Sequence, residues 1–204
     1  MRLYQTLVLL AIAATPVVAM ADNINLSTGT ATYTINGSTT ALVSPANAAW
    51  TATIAGAQWV NNTGSGTTNV ANGPYVFTTT FTLSSTSNLS GSFASDNAAS
   101  AFLSGGSIVG SDSLGANGSS SFTVTTPFSV VDLGPGIYTL TFDLENGSGL
   151  NTPPGTDGNS DSGPMGLLVG ASAVTATPEP SSLALLGTGL LGAAGVARRK
   201  LFSR

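Results

Sequence analysis

The sequence contains no cysteine and no histidine. Without thiols there is no disulfide to staple the fold and no sulfur nucleophile or ligand. Without imidazole the commonest general base and transition-metal ligand is missing. A Ser-His-Asp triad, a Cys-His pair and a His-based zinc site cannot be built. Positive charge is the next scarcity. The five basic residues are Arg2, Arg198, Arg199, Lys200 and Arg204, so the stretch from Asp22 to Thr177 has none. That stretch holds Asp22, Asp96, Asp112, Asp132, Asp143, Glu145, Asp157 and Asp161, which is all nine acidic residues except Glu179 and a formal charge of −8. Binding of nucleic acid or of anionic membrane through a basic patch is excluded. Intramolecular Lys or Arg salt bridges are excluded with it. Such a domain must be held by apolar burial and backbone hydrogen bonds.

What is present is most explicit at the two ends. Arg2 gives a positive start, Leu7 to Ala14 an apolar run, and Ala19-Met20-Ala21 a small-x-small cleavage pattern. Residues 1–21 therefore read as a secretory signal peptide cut before Asp22. At the other end stand Pro178-Glu179-Pro180, an uncharged run from Ser181 to Ala197, and Arg198-Arg199-Lys200. The prolines hold the tripeptide extended and exposed. Residues 181–197 predict a transmembrane helix of about 25 Å, against a bilayer core of about 30 Å. Snorkelling basic residues and local thinning cover the difference. Arg198, Arg199 and Lys200 act as a membrane stop on the cytoplasmic side, leaving Pro178-Glu179-Pro180 on the far side. Gly189, Gly192 and Gly195 suit either helix packing or a segment meant to be cut.

Taken together, the tripeptide, the glycine-rich apolar stretch and the basic end resemble the PEP-CTERM sorting signal of exopolysaccharide-producing Gram-negative bacteria. The resemblance spans residues 178–204. It implies export through the inner membrane, transient anchoring there by the C-terminal helix, and recognition by an exosortase-type membrane protease. That enzyme would remove the tail and leave the protein at the cell surface or outside the cell.

Between these signals lie 22–170, predicted as one β-sandwich domain, and a linker at 171–177. The domain is rich in Ser, Thr, Gly, Asn and Ala, with apolar residues in short alternating runs, which is a strand pattern. The expected strands are 31–35, 50–54, 58–60, 75–83, 101–103, 107–109, 121–126, 137–144 and 166–174. Two are the clearest. Tyr75, Phe77, Thr79, Phe81 and Leu83 share one side of theirs, and Tyr138, Leu140, Phe142 and Leu144 share one side of the other. Turn residues such as Asn36-Gly37, Asn72-Gly73-Pro74 and Gly134-Pro135-Gly136 separate the runs. The fold class expected is all-β: a jelly-roll-like two-sheet sandwich of about 8–9 strands, flanked by a signal helix and a transmembrane helix.

The body also bears a weaker resemblance, to galactose-binding-like jelly rolls. It rests on Ala57-Gln58-Trp59-Val60, Phe77 to Leu83, Asp96-Asn97, Ala101 to Gly105, Leu133 to Phe142 and Gly166 to Val169. It departs at Ser104-Gly105, where such domains often carry Asn-Gly. The resemblance implies a carbohydrate-binding role as an expectation of fold analogy.

Candidate ligand residues are Trp50, Trp59 and Tyr75, whose flat faces suit the apolar side of a pyranose, and the polar pair Asp96-Asn97. For the tryptophans the alternative is packing, and for Asp96-Asn97 it is turn capping. Asp157, Asn159 and Asp161 place oxygen donors at alternate positions, as in the first half of a Ca²⁺ loop, although Leu168 stands where the bidentate Glu would be. A solvated loop is the simpler reading there. No other cofactor is implied. Asp143 and Glu145 alternate onto one face of a strand, outward of Phe142 and Leu144, and nothing pairs them across a cleft as glycoside hydrolysis needs. The expected function is that of an exported, non-catalytic surface or matrix protein associating with extracellular polysaccharide. The alternatives are a calcium-dependent or self-associating adhesin and a carboxylate-dependent glycan hydrolase.

Overall fold

Alternation of apolar and polar side chains decides the architecture. The computed structural model describes residues 23–118, 121–147 and 163–175, and in the C-terminal segment residues 187–189 and 192, which are helical. Among the described residues no helix is long and apolar enough to cross a membrane. Ala19 and Ala21, Pro178 to Pro180, Arg198 to Lys200 and the loop carrying Asp157, Asn159 and Asp161 lie outside the described residues. By internal contacts Asp22–Ala176 forms one compact unit, and Met1–Ala21 with Thr177–Arg204 another.

The first unit is an all-β, jelly-roll-like sandwich of two antiparallel sheets. Its strands are β1 (Asn23–Asn25), β2 (Thr34–Ile35), β3 (Ser38–Thr39), β4 (Ala41–Leu42), β5 (Val60–Asn61), β6 (Gly73–Leu83), β7 (Ser87–Asp96), β8 (Ala98–Gly105), β9 (Ser111–Ala116), β10 (Thr126–Leu133), β11 (Gly136–Asn146) and β12 (Gly166–Thr175). One sheet runs β10-β7-β12-β5-β4, with β1 also paired to β12. The other runs β3-β2-β6-β11-β8-β9.

The two clearest strand patterns form the centre of the second sheet. β11 pairs with β6 from Gly136 opposite Leu83 to Asn146 opposite Gly73, so Phe77 and Phe142 stand side by side. Phe77, Phe81, Leu140, Phe142 and Leu144 are buried there and meet Leu89, Phe93, Phe128, Leu167 and Val169 from the first sheet. Phe93 bridges the layers, its ring centroid 5.2 Å from that of Phe142 and 6.3 Å from that of Phe128. Such tilted ring pairs contribute about 0.5–1.5 kcal/mol beyond their burial.

Three expected strands and the linker are corrected, and strand β7 was not expected. Segments 50–54 and 107–109 are not strands, and 121–126 joins one only at Thr126. β7, a central strand, carries no β-branched residue. Its inward Leu89 and Phe93 are separated by Gly91, and its outward positions include Asn88, Ser90 and Ser92. That composition hides the alternation. The segment 171–175 is not linker: β12 continues through Thr175, with Ala171 and Ala173 buried in the core and registered against Gly91 and Leu89.

Both long edges are interrupted. β10 carries Pro127 and a register shift between Val130 and Leu133, where Asp132 has φ 57°. The β8–β9 ladder shifts at Ala101/Phe102, opposite Gly115 with φ 130°. Proline and bulges blunt an edge against pairing with a second chain, so nothing at these edges favours the self-association reading.

Candidate functional site

The sequence-derived ligand residues divide into three places. Trp50 and Trp59, both on the segment 43–59, lie together on the outer face of the first sheet. That segment is fastened by Val43 N to Trp59 O (2.9 Å), Ala52 N to Phe122 O (2.9 Å) and Gln58 N to Thr28 O (3.0 Å). The two indoles are 4.6 Å apart at 33°, and with Ala52, Ala94 and Leu168 they make a second, smaller apolar cluster. Gly166 is the seat of this cluster: a Cβ there would lie 2.7 Å from Trp50 Cη2 and 3.2 Å from Trp59 Cε3. Trp50 is 6% and Trp59 8% exposed. Each ring is enclosed by its neighbour and the sheet, so the two tryptophans pack rather than present a free face.

Asp96 belongs to the same cluster. Its Oδ2 accepts from Trp50 Nε1 at 2.6 Å, and the residue is buried. Desolvation pushes its carboxyl up to about 6, against a smaller lowering by the Trp50 bond. Asn97 turns elsewhere: its Oδ1 accepts from Gly147 N at 2.9 Å and fixes the end of β11. Tyr75 stands apart in the second sheet, half-buried against the main core, with its hydroxyl donating to Ala71 O at 2.9 Å. These five residues therefore hold turns and packing together.

Beside the tryptophan cluster the described residues leave much of the same outer face uncovered. Register places Asn25, Ser172, Ser90 and Ser129 in one row across β1, β12, β7 and β10. Ile54, seated over Gly170 so closely that a Cβ there would meet its Cγ2, forms an apolar lip. The result is an open groove of about 320 Å³ with Asn23, Asn25, Ser90 and Ser172 on its floor and Ile54 and Ala55 along one side. Asn25 Oδ1 accepts from Ser27 N at 2.9 Å, and among the described residues its amide nitrogen makes no hydrogen bond. Sequence reasoning missed this groove, since it depends on which serines of distant strands become neighbours.

Carboxylates are spread over the described surface. Asp112 lies on β9 and Asp132 in the β10 bulge, while Asp143 and Glu145 follow each other on the outer side of β11. Burial raises the carboxyls of Asp143 and Glu145 above their ordinary values. Among the described residues no three His, Cys, Asp or Glu side chains come together to hold a metal ion.

Outside the sandwich, residues 176–200 match the family described as the PEP-CTERM protein-sorting motif. The chain carries a PEP-CTERM sorting motif. The match encloses Pro178-Glu179-Pro180, the apolar run and Arg198 to Lys200. No curated protein matches this chain in sequence. Among solved structures it is similar to the CBM36-1 domain of a multidomain xylanase from the hindgut metagenome of Trinervitermes trinervoides, with 13% identity over 78% of this chain and 100% of that one, TM-score 0.35. It is also similar to TmCBM61 in complex with β-1,4-galactotriose, with 8% identity over 77% and 88%, TM-score 0.38. A GH2 β-galacturonidase from Eisenbergiella tayi bound to glycerol shares 15% identity over 74% of this chain, TM-score 0.39, and the chain spans only 24% of that enzyme.

Proposed function

We propose that this protein is exported, cut by an exosortase-type membrane protease, and left at the cell surface or in the extracellular matrix, where its β-sandwich associates with exopolysaccharide without catalysing a reaction. The observation that carries the reading is the sorting motif at residues 176–200. The domain ahead of it supports the second half. Its formal charge of −8 without a cation suits an exterior location and disfavours nucleic acid or anionic lipid as partner. Its exposed faces offer Ser, Thr and Asn hydroxyls and amides, the groups that exchange hydrogen bonds with sugars. A non-catalytic role is supported by the placement of the carboxylates. Asp96 is engaged by Trp50, and Asp143 and Glu145 stand in sequence on one strand face rather than opposed across a cleft.

Mass spectrometry of the secreted protein tests the processing. The expected C-terminus lies near Pro178–Pro180. Extracellular protein that still ends at Arg204 would sink the proposal.

A further inference from the structure

Polar groups left without partners in an apolar-lipped groove mark a place where something else can supply the hydrogen bonds. The groove on the outer face of the first sheet is such a place. Within the described residues the hydroxyls of Ser90 and Ser172 and the amide of Asn23 make no side-chain hydrogen bond. Register brings Ser90 directly opposite Ser172, and Ser172 opposite Asn25, so donors and acceptors repeat across the strands at about 4.7–4.9 Å. Along β12 and β1 the next outward pair is Asn23 and Val174. Ile54 and Ala55 add an apolar side to this polar floor. None of the nine residues lining the groove is ionisable.

From these features we infer that the groove is the ligand site of the domain and takes an uncharged polysaccharide chain, a deepening that rests on the polysaccharide reading above. A polyhydroxylated chain matches the hydroxyls of Ser90 and Ser172 flanked by the amides of β1, groups able to donate and accept. Its C–H faces match the Ile54 lip. An anionic polymer is rejected on charge. It would meet no Lys or Arg, and the surrounding domain would repel it. With no ion pair to screen and no ionisable side chain among the lining residues, binding is insensitive to salt and to chelator. With no exposed aromatic floor it is weak per site, and retention comes from repeated engagement along a polymer.

Affinity electrophoresis of the secreted protein tests this, using gels cast with β-1,4-galactan, mannan or a β-glucan as uncharged probes and alginate as the anionic one. The comparison protein carries Ser90→Val and Ser172→Val together, two outward strand positions where a β-branched side chain fits. Loss of two ordinary hydrogen bonds lowers affinity roughly tenfold or more. The expected result is retardation by at least one uncharged polymer, unchanged by 0.5 M NaCl or EDTA and lost in the variant at an unchanged melting temperature (about 0.5 M being far above the salt needed to screen surface charge). If the double variant melts lower, the two single variants take its place, each expected to lose part of the retardation.

Retardation by an uncharged polymer that survives in the variants overturns the groove while keeping the polysaccharide reading. Retardation by alginate alone does the same. No retardation by any polymer overturns both. A dimer in light scattering that the same substitutions abolish assigns the groove to a second copy of the chain and overturns its role as a glycan site.

Discussion

Burial sets the chemistry of Asp96. In an unfolded chain its pKa is near the ordinary 3.8, and in the fold desolvation pushes it up to about 6. The folded state therefore holds a proton that the unfolded state has released between those values. The stabilising contribution is fully present below about pH 4 and is lost as pH rises through about 6, on the order of 2–3 kcal/mol in all. Asp96→Asn keeps an oxygen for Trp50 Nε1 and removes the ionisation. Thermal unfolding followed by circular dichroism from pH 4 to 7 should show a flatter decline for the variant and a higher melting temperature at pH 7. An unchanged slope would contradict the assignment. Gly166 is constrained for a steric reason instead. Gly166→Ala drives a methyl into Trp50 and Trp59 and should destabilise by about 1–3 kcal/mol, with a shift in tryptophan emission that reports loosening of the pair.

At the scale of elements, two tyrosines show how strands are started. Tyr138, the third residue of β11, donates to Gly134 O at 2.8 Å, while Ser107 N donates back to it at 3.2 Å and Ser107 Oγ lies 3.0 Å away. Gly106 and Gly136 pack against this corner, with φ of 56° and 158°; a Cβ on Gly106 would strike the Tyr138 ring. Tyr75 repeats the i−4 bond near the start of β6, but in an exposed setting. Tyr138→Phe leaves its partners unpaired and should cost about 1–3 kcal/mol in urea unfolding, whereas Tyr75→Phe should cost under about 1 kcal/mol. Equal losses would mean that burial does not set the difference. The sequence block from Leu133 to Phe142 was readable as a turn and a strand, and the structure explains it as a corner. The strand β7 was not readable, because serine, asparagine and glycine give no hydropathic contrast and only pairing with β10 and β12 makes it a strand.

Whole-molecule charge follows directly from composition. With −8 and no basic side chain in the domain, folding brings like charges together and gains no side-chain ion pair. Raising NaCl from about 0.02 to 0.3 M screens that repulsion, so the melting temperature of the processed protein at pH 7 should rise. A fall would require attractive side-chain ion pairs, which the composition lacks.

The sorting motif, the absence of histidine and thiol chemistry and the all-β class were determined by the sequence itself, because each rests on residue identity, local spacing or alternation. The sorting motif is a linear signal, and a strand's inward and outward faces repeat every two residues. Where Trp50 and Trp59 sit, and which serines and asparagines line one groove, only the tertiary structure decided. Trp50 lies 46 residues from the Asp96 it donates to, and Asn25 is 147 positions from its register partner Ser172. The local pattern of a strand says which side chains share a face. It does not say which strand lies beside it or what covers that face, and the burial of the tryptophans and the open row of hydroxyls both depend on that answer.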